Sequence, residues 1–208
     1  MAADGGPKSW PKNTPYLSRP VYSKTVSPSL LRLRRSNLPP NAVVFPASNG
    51  PASAVKICAI TSSSHPAHGQ YGLFASRRLP ADSPVVLYLG YVHGKTDTDP
   101  NSDYDLSLDR DLGIGVDASK MGNEARFIND FRGVADDPNA EFREVWVDSS
   151  SGHLEKMMAV FVLPAGRSGK RAKGIGKGEE ILVSYGKGFW AERQSQQTEN
   201  TSQDQDGT

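Results

Sequence analysis

The stretch that decides the fold is Gly122-Asn123-Glu124-Ala125-Arg126-Phe127-Ile128-Asn129-Asp130. It mixes charged, aromatic and amide side chains in an order that suits neither the alternation of a half-buried strand nor a plain surface turn. Polar groups set among apolar ones are tolerated in an interior only where each finds a partner. The stretch therefore reads as a buried crossing. On either side of it the pattern is one of short strands and turns. Residues 54–60, 71–75, 85–89, 142–147, 157–163 and 181–185 read as strands, and Tyr104, Leu106 and Leu108 alternate with polar residues as a further, half-buried one. Helical signal is confined to one or two turns over 119–127. The expected class is mainly β, with small sheets and few short helices.

The chain has 208 residues, of which 37% are hydrophobic and 23% charged. At about 150 residues per domain this is one domain with flanks. Nine of the fifteen prolines lie in residues 1–51, where few apolar clusters exist to offset the ordering entropy. Residues 1–53 are thus expected to be a flexible basic arm, 54–190 the folded domain, and 191–208 a disordered polar tail. Within the arm, the run from Leu30 to Arg35 fits either a solvated linker or a short strand or turn that docks on the domain. The net charge of +1 is unevenly spread: eight Lys/Arg against Asp4 give +7 over 1–56, and the remainder is mildly acidic. A basic arm admits a weak nucleic-acid contact. The single Cys58 excludes an internal disulfide or a multi-cysteine zinc site. No run of about 18 apolar residues suggests a membrane span, and no secretory apolar core is seen at the N-terminus. An intracellular monomer, nuclear or cytoplasmic, is expected.

Several motifs fail on inspection. The six Asp between Asp97 and Asp111 suggest a calcium loop, but counted from Asp99 the sixth position is Tyr104 and the twelfth Arg110. The glycine and the bidentate glutamate of an EF-hand are both missing. Gly174-Ile175-Gly176-Lys177-Gly178 lacks the spacing of a dinucleotide or phosphate loop. The four histidines share no metal-ligand spacing with one another or with Cys58. The basic run over 167–177 fits a solvated insertion better than a nucleic-acid patch.

Four segments stand in fixed order: Gly69-Gln70-Tyr71-Gly72-Leu73-Phe74-Ala75; Leu87-Tyr88-Leu89-Gly90; Asp117-Ala118 with Gly122 to Asp130 and then Pro138-Asn139-Ala140; and Gly178-Glu179-Glu180-Ile181-Leu182-Val183-Ser184-Tyr185-Gly186. Together they resemble the SET domain of protein lysine methyltransferases, over about residues 54–190. The resemblance implies small curved β-sheets with a knot-like C-terminal crossing, in which the segment around Asn129 threads a loop formed near Tyr185. It also implies transfer of a methyl group from S-adenosyl-L-methionine to the ε-amine of a lysine in a protein substrate.

Site residues follow from the matched motif positions. Gly72, Leu73 and Phe74 resemble the segment whose backbone meets the cofactor, although a tight turn into a buried strand explains them equally. Arg126, Phe127 and Asn129 match the family's Arg-Phe-x-Asn segment, which the resemblance makes cofactor-binding, with Asn129 on the amino-acid end, the backbone meeting the adenine, and Arg126 the more structural member. Asp130-Phe131 stands where the family usually has His and Ser, which leaves Asp130 a backbone contact to the cofactor. Tyr185 matches the catalytic tyrosine, which orients the methyl and the amine. Tyr104 is a second catalytic and channel tyrosine. Phe142 and Phe189 are channel walls, and a Phe at 142 implies that more than one methyl can be added. Many members close the site with a three-cysteine zinc lid. This chain has no cysteine after Cys58, so the resemblance assigns the lid to Phe189 and to Trp190, which is expected to stack on adenine or to be pinned in the core.

Overall fold

The computed structural model describes residues 6–7, 9–46, 52–149 and 152–190; the expected disorder of 191–208 lies outside them. Thirteen strands are described: β1 (Val21–Tyr22), β2 (Arg32–Arg34), β3 (Val44–Phe45), β4 (Val55–Ala59), β5 (Tyr71–Ala75), β6 (Pro84–Tyr88), β7 (Tyr91–Gly94), β8 (Asp105–Asp109), β9 (Ile114–Asp117), β10 (Asn129–Asp130), β11 (Ala140–Asp148), β12 (His153–Val162) and β13 (Leu182–Val183). They form four sheets, in the orders β1-β7-β9-β8, β2-β12-β11-β3 with β6 also on β12, β4-β5, and β10-β13. The fold is mainly β, as the sequence pattern indicates. Helix is limited to short turns, one of them the 3-10 turn Glu124–Phe127. No described helix is long and apolar enough to cross a membrane.

β12 is the central element. Side chains alternate across a strand, so Ala159 and Phe161 enter a small core with Phe45, Val145 and Val147. Met158, Val160 and Val162 enter the main core instead. A strand covered on both faces needs apolar residues at both parities, which accounts for the continuous apolar run.

The N-terminal arm is a correction for its described part. Leu31, Val26 and Phe45 are buried, Leu31 to 1% exposure. β2 pairs antiparallel with the start of β12, β3 parallel with β11, and β1 parallel with β7. Glu155 is buried at 4% exposure and binds two arm residues, Arg32 Nε at 2.6 Å and the Tyr22 hydroxyl at 2.6 Å. Arg35 pairs with Asp148. An apolar count along the arm understates its stability, because the sheets offer open edges that a passing chain satisfies with backbone hydrogen bonds. Of the two readings of Leu30 to Arg35, the docked one holds: a 3-10 turn Pro28–Leu31 runs into β2.

The unusual feature is the crossing. β10 pairs parallel with β13, matching Asn129 to Leu182 and Asp130 to Val183. Asn139 grips the same segment: its N–H donates to the Leu182 carbonyl at 3.0 Å, its Nδ2 to the Glu180 carbonyl at 2.8 Å, and its Oδ1 accepts the Leu182 N–H at 2.8 Å. Residues 180–183 thus run between two parts of the segment 129–139.

Replacing Leu31 by Ala is expected to lower stability by about 2–5 kcal/mol, the usual cost of emptying a buried leucine site. Urea denaturation followed by tryptophan fluorescence measures it. A change near zero would mean that the arm does not pack on the domain.

Candidate active site

The crossing delivers Tyr185 to the end of a cavity of about 910 Å³. Its hydroxyl donates to the Ile128 carbonyl at 2.7 Å, and its backbone N–H donates to Asp130 Oδ2 at 2.7 Å. With the phenol hydrogen held by Ile128, the oxygen lone pairs are what the residue offers to an incoming group. Burial above all, then the adjacent Tyr104 phenol and the Asp130 carboxylate, push the Tyr185 pKa well above 10. At neutral pH this tyrosine is therefore a fixed neutral dipole and not a proton acceptor.

The cavity is walled by Tyr88, Tyr104, Phe142, Tyr185 and Phe189, and Asp99, Asp103 and Asp105 also line it. Phe189 stacks edge-on to Tyr185 at 5.0 Å between centroids, and Phe142 edge-on to Tyr88 at 5.6 Å. The expected channel residues Tyr104, Phe142 and Phe189 are thus brought together. Tyr88 has no role in the sequence reading, yet it is central here: it is buried and its hydroxyl donates to the Tyr104 carbonyl at 2.7 Å. Its place inside Leu87-Tyr88-Leu89 makes it look like one more core aromatic. The signal for it was a hydroxyl in an apolar strand, which must find an acceptor.

The structure gives Arg126 a holding task. Its Nε and Nη2 donate to the carbonyls of Ala118 and Ser119 at 2.9 and 3.1 Å, and its guanidinium lies over the Tyr104 ring at 4.8 Å. It fixes a channel wall. Phe127 is buried under Trp10 and Tyr71, with ring centroids 5.6 and 6.0 Å away. Leu73 is a core residue, fully buried, and its carbonyl accepts the Ile181 N–H at 2.8 Å. Ala75 N–H donates to Glu179, so residues 179–181 cover the edge of β5 beside Phe74.

Beyond that covered edge lies a small polar cradle. Asn129 Nδ2 donates to the Tyr71 carbonyl at 3.3 Å and to Glu180 Oε1 at 2.8 Å. Gly72 lies directly under this cradle: a Cβ there would stand 2.5 Å from Glu180 Oε1 and 3.2 Å from Asn129 Nδ2, so these side chains would have to shift. A helical turn over 187–190 carries Phe189 and Trp190. Trp190 Nε1 donates to Asp130 Oδ2 at 3.2 Å, and the Arg132 guanidinium sits 5.5 Å over its ring. Arg132 also donates to Asp130 from its backbone N–H at 2.9 Å and from Nη1. The Asp130 side chain is therefore spent on Tyr185, Arg132 and Trp190. This carboxylate ties the backbone of Tyr185 to Arg132 and Trp190.

Among the described residues no group of His, Cys, Asp and Glu is placed to hold a metal ion. A second cavity of about 670 Å³, between Arg78, Asp137 and Lys173, contains none of the motif aromatics.

A family model described as the SET domain matches residues 70–186. Among solved structures, the chain is similar to the Chaetomium thermophilum Polycomb Repressive Complex 2 bound to GSK126, at 25% identity and a TM-score of 0.47 over 65% of this chain and 16% of that one. It is likewise similar to ctPRC2 in an autoinhibited conformation bound to S-adenosylmethionine, at 26% identity and 0.47 over 65% and 15%. The chain thus spans about one-sixth or less of the length of these neighbours. No curated protein matches.

Burial raises the phenols of Tyr16, Tyr22, Tyr88 and Tyr185 above the ordinary tyrosine value. The unfolded chain releases these protons near pH 10 while the folded chain holds them. Their contribution is full below about pH 10 and is lost as pH rises beyond it. Urea midpoints are expected to fall steeply above that pH, and phenolate absorbance to show only part of the seven tyrosines titrating before unfolding. Ionisation of all seven near pH 10 with the fold intact would contradict this burial.

Proposed function

The chain belongs to the SET-domain family, and from that premise we propose that it transfers methyl groups from S-adenosyl-L-methionine to the ε-amine of a lysine in a protein substrate. The observation that carries this reading is the convergence of Tyr185 and Tyr104, far apart in sequence, on one aromatic cavity, with Asn129 next in the chain to Ile128, whose carbonyl accepts the Tyr185 hydroxyl.

The residues present suit the cofactor. Its amino-acid end carries an ammonium group, and the cradle at Asn129 offers the Tyr71 carbonyl and the Glu180 carboxylate beside the bare backbone of Gly72. Bound there, S-adenosylmethionine supplies an electrophilic methyl on a sulfonium. The protein supplies orientation, which is worth about 7–11 kcal/mol of a two-reactant barrier. Asp130 sets the Tyr185 backbone and Ile128 sets its hydroxyl, so the phenol oxygen has one position from which to accept from the amine. Tyr88, Tyr104 and Phe142 exclude water from the channel and favour the neutral, nucleophilic amine. The acidic residues lining the cavity draw a cationic side chain inward before it loses its proton. Trp190, pinned by Asp130 and Arg132, closes the site in place of a zinc-bound lid, with Phe189 beside the channel.

A SET fold that binds the cofactor without turnover is the second reading, and Asp130 in the usual histidine position favours it. Incubation with tritiated S-adenosylmethionine and a lysine-peptide array distinguishes the two. Label transfer is expected from the wild type, falling about a hundredfold or more in Tyr185→Phe, as for loss of a preorganised transition-state dipole. Undiminished transfer in Tyr185→Phe would refute the role of the hydroxyl. Cofactor binding with no transfer across the array would establish the second reading.

A further inference from the structure

Glu180, which belongs to the cradle at Asn129, has a second, part-buried partner that the chemistry above does not use. His65 and Glu180 are 115 residues apart in sequence, and their side chains are each 9% exposed. His65 lies in the loop between β4 and β5. Ala67 N–H donates to its Nδ1 at 3.0 Å, so that nitrogen is unprotonated and the ring proton sits on Nε2. Nε2 then donates to Glu180 Oε2 at 3.1 Å. The other carboxylate oxygen, Oε1, accepts from Asn129 Nδ2 at 2.8 Å.

This chain of contacts decides which way the Asn129 amide faces. Its Nδ2 meets two groups, the Glu180 carboxylate and the Tyr71 carbonyl, that can only accept. A reversed amide would set Oδ1 against both. The network therefore allows one orientation and leaves Oδ1 as an acceptor. The Nε2 hydrogen bond holds Glu180 in place beside Gly72, where an added Cβ would stand 2.5 Å from Oε1.

We propose that His65 and Glu180 are positioning residues for the methyl donor: they lock the Asn129 amide with Oδ1 turned to the donor's ammonium group, and Glu180 supplies the charge that the ammonium faces. The inference rests on the cofactor reading given above. It extends the site to a loop outside the matched motifs and gives His65 a task that metal-ligand spacing would never reveal.

The test is calorimetry of S-adenosylhomocysteine, which carries the same ammonium group, with the full chain. His65→Ala is expected to weaken binding about tenfold, the usual scale for a hydrogen bond to a charged group. His65→Gln, whose amide can place a donor near the position of Nε2, is expected to recover most of that loss. In an Asn129→Ala background, His65→Ala is expected to cost nothing further, because its effect passes through that amide. If His65→Ala does not fold, Glu180→Gln carries the test: it keeps the shape, removes the charge, and is expected to lose about tenfold in affinity. Unchanged affinity in His65→Ala or in Glu180→Gln, or an equal loss with and without Asn129, would overturn the proposal while leaving the cofactor site standing. No binding to the wild type would overturn the cofactor reading itself.

Discussion

The site depends on the hydrogen bonds that hold residues 180–183 against the segment 129–139. β10 takes one side of this short strand, and Asn139 uses its backbone and both ends of its amide to hold it as a neighbouring strand would. Neither β10 nor β13 is longer than two residues, so neither would persist alone. Tyr185, Asn129 and Asp130, the residues to which the proposed function gives the main tasks, all lie within a few residues of this junction. Loosening it moves all three together, which is how one crossing can set the geometry of a whole site.

Asp130 extends the junction outward. Its buried carboxylate meets a backbone N–H of the catalytic strand, the guanidinium and N–H of Arg132, and the indole of Trp190. A buried charge is tolerated only when paired and hydrogen-bonded, and here every partner belongs to the site or its lid. The charge pattern follows the same logic. Asp99, Asp103 and Asp105 share one cavity with the aromatic walls and the Tyr185 phenol, the arrangement that the proposed attraction and desolvation of a cationic side chain needs.

Much of this was legible in the sequence because the informative segments are local and rigidly spaced. The apolar alternation at Leu106 and Leu108, the run over 157–162 and the polar–apolar mixture at 122–130 each announce their strand or crossing. What escaped was long-range. β7, β9 and β10 are strands only because of their partners, and Tyr91–Gly94 or Asn129–Asp130 have too few residues to show a period. The arm looked flexible because its prolines and arginines were counted without the open sheet edges and the buried Glu155 that receive them. Tyr88 was passed over because a polar group in an apolar run shows that it needs a partner without showing which one, and the His65–Glu180 pair because its members are 115 residues apart. Leu73 and Phe127 were matched to segments whose backbone meets the cofactor, and their side chains are packed in the core.

The most direct test is a crystal structure of the chain with S-adenosylhomocysteine. The account predicts that the ligand's amino-acid end meets Asn129 beside Gly72, that its sulfur faces the Tyr185 hydroxyl across the end of the aromatic channel, and that Trp190 covers it. A ligand bound elsewhere, for instance in the cavity between Arg78 and Lys173, or with its sulfur turned away from Tyr185, would contradict it.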